Sequence, residues 1–450
     1  MCYAIPGKII SIKDKIAEVD YFGEQRKVLL DLSDLKIGDY VIAQGGIIVK
    51  RIPEEEAQKT LEDWEEAFKK FKQKDDELAE ESGSEMDLDP DLDVQFLEII
   101  QKVNQGKQLS DKEFIFLLNI KGEKELEILF QQANLLRQRK HGNASCVHGI
   151  IEFSNYCKGN CKYCGIRRDR KIQRYRLSKQ EIINHAKYCA EDLGFTALVL
   201  QSGEDDSYTI EELEEIVREV RALGVLVFLS IGLRTKSDYQ RLYDAGARAV
   251  LLRFETSDPE IFSNMRPGTT LDERLQRIRE IKQIGYILAT GFIFGLPGET
   301  QETIINNLKL TKELEPDMYS FGPLIPTKET PLENEIISIK DEALKIIALQ
   351  RILSPEVNIL VTTAFETLSP DTKQEGLLAG GNSLMINLTP KNYQKLYAIY
   401  DGKNKNDQEI NKEIQLTIDL LEKLGRVPMD IGLTSYYKMN FSKRFPNQTK

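Results

Sequence analysis

Several features that would narrow the class of this protein are scarce or missing from its 450 residues. No apolar run approaches the ~20 residues that span a bilayer, and the N-terminus lacks the basic and apolar segments of a secretory signal. Three histidines leave little room for imidazole catalysis. The formal net charge of −11 argues against a protein that coats nucleic acid, because counterion release needs a basic face. We therefore expect a cytoplasmic protein with neither membrane nor nucleic acid as a partner.

The six cysteines do not suggest a disulfide framework, because three lie within eight residues and the others are scattered. Cys157, Cys161 and Cys164 follow an apolar run, Val147 to Phe153, that predicts a strand. Three thiolates at C-x3-C-x2-C spacing cannot close a tetrahedral site, which needs four protein ligands. A 4Fe-4S cluster suits this count because one iron stays open. A zinc knuckle and a chance grouping are the alternatives.

This cysteine spacing resembles the signature of radical S-adenosylmethionine (SAM) enzymes, and an aromatic residue, Tyr163, directly precedes the last cysteine. The resemblance implies that the open iron chelates the amino and carboxylate groups of SAM. It also implies one-electron reduction of the cluster and cleavage of SAM to methionine and a 5′-deoxyadenosyl radical. A one-electron donor of the ferredoxin or flavodoxin type is therefore an expected partner.

The first 75 residues form a separate predicted domain. Short apolar runs alternate with turn residues over positions 3–50, which predicts a small, OB-like β-barrel. Pro53 then opens an amphipathic segment from Glu54 to about Lys74, which predicts a helix packed on this barrel. Residues 76–91 are mostly acidic or small and predict an extended, solvated linker.

The opening from Met1 to Gly7, with the predicted barrel and helix, resembles the HypC-type hydrogenase maturation chaperones. The resemblance implies that Cys2, exposed by removal of the initiator methionine, holds an iron with carbon monoxide and cyanide ligands. A terminal cysteine suits such a task, since it offers a soft thiolate beside an amine. The chain departs from the family at Gln44, where a histidine usually serves as a second iron ligand.

Residues 92–450 predict the larger domain. Helical patterns reach to about residue 140, and eight apolar strands then alternate with amphipathic helices over about 300 residues. This order favours an α/β fold, a (βα)8 TIM barrel, whose functional residues lie at the carboxyl ends of the strands. The candidate strands are Val147–Phe153, Thr196–Gln201, Leu226–Ile231, Ala249–Phe254, Ile287–Phe294, Met318–Leu324, Asn358–Thr363 and Ser383–Leu388.

Motifs at these strand ends, such as Gln201 to Asp205 and Gly291 to Glu299, resemble the HydE-type radical SAM maturases of FeFe-hydrogenase. The resemblance runs from residue 95 to about 427, and methylornithine and biotin synthases share the barrel. An arginine suits the SAM carboxylate because its planar guanidinium matches that group, although Arg274 outside a motif would be taken for a helix-surface charge. The SAM-binding residues that the resemblance implies are Tyr163, Ser202, Gly203, Glu204, Glu255, Arg274 and Ile293.

The same resemblance places a second group of residues in the barrel interior, where the substrate would lie. Each of them could equally belong to core packing. The chain departs from these maturases at Phe254, where a histidine is common, and no cysteine follows Glu204, so an accessory second cluster cannot form. The implied substrate residues are Arg253, Thr362, Thr363, Met385, Tyr397 and Tyr400.

Together the two resemblances imply a radical SAM enzyme of hydrogenase metallocofactor assembly. An iron with diatomic ligands would pass between the barrel and Cys2, and the linker would raise the effective concentration of the two domains. Other hydrogenase maturation proteins or a hydrogenase large subunit are then expected partners. Two alternatives stay open: a mutase resembling methylornithine synthase that acts on an amino acid, and a non-catalytic iron-sulfur scaffold.

Overall fold

Two closed β-barrels organise this protein in a computed structural model that describes residues 5–81, 92–335, 340–403 and 409–429. The smaller barrel has the strand order β1-β2-β3-β5-β4, and β4 pairs back to β1. In β2, alternate side chains of Ala17, Val19 and Tyr21 point into the barrel and are buried. The predicted small barrel is confirmed. Its strands are β1 Gly7–Lys13, β2 Ile16–Tyr21, β3 Glu24–Leu29, β4 Tyr40–Gln44 and β5 Ile47–Ile52.

The helix after this barrel, α1, spans Glu54–Glu81 and is longer than predicted. Asp75, which begins the acidic stretch, is only 2% exposed and forms a bidentate ion pair with Arg137, with both N–O distances 2.9 Å. The buried arginine gives this acidic segment a partner that its own sequence does not reveal. The predicted solvated linker is therefore wrong over residues 76–81, and residues 82–91 lie outside the described part.

Among the described residues, three further helices lie between α1 and the large barrel: α2 Val94–Asn104, α3 Asp111–Asn119 and α4 Glu123–His141. The predicted capping box at the start of α3 is present, because Ser110 and Glu113 exchange hydrogen bonds with each other's backbone N–H groups. These helices place Arg137, on α4, opposite Asp75 of α1.

The large barrel closes through eight parallel strands, since β14 pairs with β6. The predicted (βα)8 architecture is confirmed. The predicted fifth strand is split at Gly291, whose carbonyl accepts hydrogen bonds from the backbone N–H groups of Phe254 and Glu255. The barrel strands are β6 Ala144–Ser154, β7 Ala197–Ser202, β8 Leu226–Ser230, β9 Ala249–Leu251, β10 Ile287–Thr290, β12 Met318–Pro323, β13 Asn358–Val361 and β14 Ser383–Asn387, with β11 Ile293–Phe294 beside β12 and β15 Val427–Pro428 beside β6.

Helices and turns surround this barrel, and none of the described helices is long and apolar enough to cross a membrane. They are α5 Lys179–Glu191, α6 Ile210–Ala222, α7 Lys236–Asp244, α8 Pro259–Met265, α9 Leu271–Ile284, α10 Gln301–Glu313, α11 Lys340–Leu353, a 3₁₀ turn Phe365–Thr367, α12 Thr372–Leu378, α13 Lys391–Gln394 and α14 Ile410–Lys423.

A layer of apolar side chains fills the interior of the large barrel, as is usual for this fold. One buried residue comes from each of the eight strands, so the layer crosses the whole section of the barrel. Its members are Ile150, Val199, Phe228, Ala249, Ala289, Met318, Leu360 and Met385.

The small barrel is packed against the amino-terminal ends of the large barrel's strands. Its apolar residues, including Ile42 and Val49, form one buried cluster with Ala197 and Leu226, the first residues of β7 and β8. The two domains therefore contact each other directly, at the end opposite the carboxyl ends of the strands.

Polar contacts fix this arrangement. Asp31 forms ion pairs with Arg221 at 3.1 Å and with Arg248 at 3.0 Å. Gln44 is fully buried, and its Nε2 donates a hydrogen bond to the carbonyl oxygen of Met429 at 2.6 Å. The position at which the chaperone family usually carries an iron-binding histidine thus holds the two domains together.

Candidate functional site

The cysteine segment begins where β6 ends and is held by the end of the neighbouring strand, β7. The Gly203 N–H donates to the Ser154 carbonyl at 3.0 Å, and the Lys158 N–H donates to the Glu204 carbonyl at 2.9 Å. The Glu204 N–H donates to the sulfur of Cys157 at 3.4 Å. The backbone of β7 thereby orients the first thiol of the motif.

Gly203 also has a steric role in this contact. A Cβ atom at this position would lie 2.2 Å from the carbonyl oxygen of Tyr156, much closer than two such atoms can approach. Only glycine lets the end of β7 and the cysteine segment run side by side.

The three thiols lie in surroundings that fit an iron-sulfur cluster. The backbone of Gly159 lies over two of them, since a Cβ there would be 3.3 Å from the sulfur of Cys157 and 3.8 Å from that of Cys161. Burial raises the pKa of the Cys157 and Cys164 thiols, so binding of a metal cluster would release protons. In the described residues no three Cys, His, Asp or Glu side chains converge on a point that would hold one ion. Three grouped thiols, two of them beside the backbone of Gly159, fit the three cysteine ligands of a 4Fe-4S cluster.

Two arginines and two carboxylates form a buried charge cluster beside the thiols. Arg266 lies 3.3 Å from Glu204 and 3.4 Å from Glu255, and Arg274 lies 3.4 Å from Glu255 and 3.9 Å from Glu204. Arg266 also donates a hydrogen bond to the hydroxyl of Tyr163 at 2.9 Å. The structure therefore brings together four of the predicted SAM residues and adds Arg266, which the sequence analysis missed.

Arg274 lies in the first turn of α9, which Thr270 caps, and only 4% of its surface is exposed. The helix-surface alternative is thus wrong. Its Nη1 is buried and makes no hydrogen bond within the described residues, and the Glu204 carboxylate lies 3.9 Å from it. Because buried donors are nearly always satisfied, an unpartnered guanidinium N–H suits the carboxylate of a ligand such as SAM.

Glu255 has a left-handed backbone conformation, with φ of 73°. A non-glycine residue in this region stores strain that the surrounding structure must hold, and such residues cluster at functional sites. Its carbonyl accepts a hydrogen bond from the Ile293 N–H at 2.9 Å, so two predicted SAM residues are adjacent across neighbouring strands.

A cavity of about 280 Å³ joins the thiols, the charge cluster and the barrel interior. Every predicted site residue except Cys2 lines it, and Cys2 lies outside the described residues. Within the cavity the hydroxyls of Thr363 and Tyr400 are 2.5 Å apart. The lining thus includes Cys157, Cys161, Tyr163, Cys164, Ser202, Gly203, Glu204, Arg253, Glu255, Arg274, Ile293, Thr362, Thr363, Met385, Tyr397 and Tyr400.

A buried ion pair in the cavity was also missed by sequence reasoning. Lys403 pairs with Glu152, and their side chains are 7% and 1% exposed. Asn387 donates a further hydrogen bond to Glu152 at 3.1 Å. Burial raises the pKa of Glu152, although the ammonium of Lys403 opposes this effect. The sequence could have indicated Glu152, because a carboxylate is unusual within an apolar strand such as β6. It gave no such indication for Lys403, which lies in a turn, or for Arg266, which lies just after α8.

Three regions of this chain match known protein families. Residues 151–311 match the radical SAM superfamily, residues 1–64 the HupF/HypC family and residues 320–425 the biotin and thiamin synthesis associated domain. The FeFe hydrogenase maturase subunit HydE of Thermotoga maritima is 39% identical over 303 residues, which cover 67% of this chain and 87% of that protein. The 3-methylornithine synthase of Methanosarcina acetivorans is 31% identical over a stretch that covers 73% of this chain and 93% of that protein.

Solved structures show the same barrel. Methylornithine synthase (PylB) superposes with a TM-score of 0.65 at 29% identity and covers 73% of this chain and 97% of that one. HydG, a maturase of the FeFe-hydrogenase, superposes with a TM-score of 0.64 at 20% identity and covers 82% of this chain and 80% of that one. At this identity the likeness supports the fold alone.

Fold, site and family matches together define a radical SAM enzyme, whose cofactors are a 4Fe-4S cluster and SAM. Within that superfamily the chain belongs to the HydE-type proteins and carries an N-terminal domain of the HupF/HypC family. This membership disfavours the non-catalytic scaffold.

Proposed function

We propose that this protein cleaves SAM reductively at Cys157, Cys161 and Cys164 and uses the radical on a substrate in the barrel, during assembly of a hydrogenase metallocofactor. The cluster and SAM supply the 5′-deoxyadenosyl radical when bound. The observation that carries the proposal is the single cavity that joins the thiols, the charge cluster and the interior polar residues. The 39% identity to a HydE supports hydrogenase maturation as the process.

The charge cluster has the groups that would orient SAM. Arg274 would bind the SAM carboxylate through its unpartnered Nη1. Glu204 would accept hydrogen bonds from the methionyl amine, and Glu255 from the ribose or the amine. Ser202 and Gly203 lie beside the first thiol, and Ile293 lies where it would flank the adenine.

The substrate would lie deeper, where Arg253 offers an anion anchor and Thr362 and Thr363 offer uncharged hydroxyls. Tyr397 and Tyr400 line the same space, with Met385 below them in the apolar layer. Ile150, Leu360 and Met385 of the apolar layer also line the cavity, so its inner end is apolar.

The same proposal gives Cys2 an iron with carbon monoxide and cyanide ligands and places the protein in the cytoplasm, where thiols stay reduced. The described cysteines are all free. Glutamine stands at position 44, where the chaperone family usually has a histidine, and its side chain is hydrogen-bonded to Met429. This position therefore supplies no imidazole to iron at Cys2. Infrared spectra of protein isolated anaerobically with its maturation partners should show carbon monoxide and cyanide bands, which Cys2→Ala should remove.

The main test is a triple Cys→Ala variant of the cluster motif. It should lose the iron-sulfur absorbance and all formation of 5′-deoxyadenosine after anaerobic reconstitution, because the cluster cannot be held without its thiolates. Cys146→Ala and Cys189→Ala are matched controls that should retain both. Normal 5′-deoxyadenosine formation in the triple variant would refute the assignment.

A second candidate is an amino-acid mutase, favoured by the 31% identity to a 3-methylornithine synthase and by Arg253, which lines the cavity and offers a cation to a substrate carboxylate. Mass spectrometry of reactions with single amino acids, reconstituted enzyme and SAM distinguishes the two. An isomerised amino acid supports the mutase, and its absence together with the infrared bands supports cofactor assembly.

A further inference from the structure

The segment that follows the first cluster cysteine is strongly basic in a chain that is otherwise acidic. Residues 158–176 contain eight Lys or Arg and one Asp, a formal charge of +7, whereas the whole chain carries −11, so all other residues together carry −18. The basic residues are Lys158, Lys162, Arg167, Arg168, Arg170, Lys171, Arg174 and Arg176.

Half of these cations have no carboxylate partner in the part of the chain that the structure describes. Arg167 and Arg174 donate to backbone carbonyls, Lys162 hydrogen-bonds the side chain of Asn264, and Lys171 is exposed. The other four form ion pairs: Lys158 with Asp206, Arg168 with Asp169, Arg170 with Glu329, and Arg176 with Asp205. The pairs of Lys158 and Arg168 are exposed on both sides and therefore weak, so a partner can compete for these two cations.

This basic surface covers the thiols directly. Arg168 donates its backbone N–H to the Gly159 carbonyl at 2.8 Å, and Gly159 is the residue whose backbone lies over Cys157 and Cys161. Arg167 donates to the carbonyl of the next residue, Asn160, at 3.3 Å. The backbone next to two of the thiols is therefore hydrogen-bonded directly to residues of the basic segment.

We propose that residues 158–176 are the docking surface for a small acidic protein that carries one electron. The inference rests on the proposed reductive cleavage, which consumes one electron per SAM. The carrier loses one electron and is oxidised, and SAM gains that electron. When the sulfur–carbon bond of SAM breaks, two of the three electrons form the lone pair on the methionine sulfur and the third stays on the 5′ carbon as the radical. A complementary negative carrier is steered to such a patch at low ionic strength.

The test uses the reconstituted full-length enzyme with flavodoxin as the reductant in one set of reactions and dithionite in another. Arg168→Glu combined with Lys171→Glu reverses two charges at exposed positions. With flavodoxin, 5′-deoxyadenosine formation should fall at least about tenfold and the KM for flavodoxin should rise, because steering depends on charge. With dithionite the rate should match that of the wild type. The flavodoxin-driven wild-type rate should also fall with added salt.

Lys69→Glu combined with Lys70→Glu is the matched control, since it makes the same charge change on α1, in the small domain at the far end. It should leave both rates unchanged. An unchanged flavodoxin rate in the Arg168/Lys171 variant overturns the proposal, as does an equal loss in the control. If the wild type binds RNA, the variant does not, and the flavodoxin-driven rates are equal, the surface binds nucleic acid and the proposal is overturned.

If the Arg168/Lys171 variant loses iron, Arg168→Gln with Lys171→Gln replaces it, and a flavodoxin KM that no longer responds to salt supports the proposal. Failure of the proposed function is distinct from all these outcomes: the wild type would form no 5′-deoxyadenosine even with dithionite.

Discussion

At the scale of single residues, the site depends on charges that compensate each other away from water. Glu204 and Glu255 face Arg266 and Arg274, and all four side chains are largely buried. Burying unpaired charges costs several kcal/mol per ion, so each member of this set restrains the position of the others. A ligand with both a carboxylate and an ammonium group can bind without leaving a net charge behind.

Arg274→Ala should weaken SAM binding by about 1.5 to 3 kcal/mol, or roughly 10- to 150-fold in Kd, because a carboxylate loses a charged donor. Calorimetry on the reconstituted protein measures this, with iron content as a check that the cluster is intact. Arg279→Ala, on the same helix but half exposed, is the matched control and should bind SAM normally. An unchanged Kd for Arg274→Ala would remove this residue from the SAM site.

The pair of Lys403 and Glu152 offers a test of buried-charge compensation. Lys403→Met leaves a buried carboxylate without its cation and should lower the free energy of unfolding by about 3 to 5 kcal/mol. Adding Glu152→Gln should restore most of this loss, since the uncompensated charge is gone. Thermal unfolding of both single variants and the double variant checks it. Additive losses in the double variant would mean that the two side chains do not interact.

At the scale of elements, hydrophobic patterning predicted both barrels, because buried strands and amphipathic helices leave a clear period in the sequence. The residues assigned by motif lie together because the carboxyl ends of parallel strands meet at one face. Arg266 and Lys403 were missed because they lie outside the strands, where no hydrophobic periodicity indicates which way a side chain points. The end of α1 was missed because Asp75 depends on Arg137, which lies far along the chain.

The loop between β11 and α10 should make stability depend on pH. Burial raises the pKa of Glu299 to about 8, from an ordinary value of 4.5, although the Gly295 N–H and the Asn307 amide donate to its carboxylate. The folded protein therefore binds more protons than the unfolded chain between pH 4.5 and 8, and stability falls as pH rises through this window, by at most roughly 1.4 kcal/mol per pH unit.

Glu299→Gln should flatten this dependence, because the neutral amide does not titrate. Urea unfolding of the wild type and the variant at pH 5.5, 7 and 8.5 measures it. Glu302→Gln, at an exposed position of α10, is the control and should keep the wild-type slope. Parallel pH profiles for the wild type and Glu299→Gln would contradict the prediction.

At the scale of the whole molecule, the two domains are joined by buried polar contacts as well as by apolar packing. Asp75→Ala should lower the free energy of unfolding by about 3 kcal/mol or more, because the buried guanidinium of Arg137 loses its carboxylate. Asp76→Ala, at the next position of α1, removes only a half-buried contact with Gln138 and should cost less than about 1 kcal/mol. Similar unfolding midpoints for the two variants would show that Asp75 does not hold the domains together.

The position of the small domain sets the kinetics of any iron hand-over. Ile5 is buried in that domain, and three residues reach at most about 10 Å from it to Cys2. The strand β6 has 11 residues and is about 33 Å long, so with a strand tilt of about 36° the two ends of the large barrel lie about 27 Å apart. The small domain, which holds Ile5, is packed at the end of the large barrel opposite the thiols, so we expect iron to pass between two molecules rather than within one. Delivery between two molecules would be second order in enzyme, so the initial rate of transfer should rise fourfold when the protein concentration is doubled.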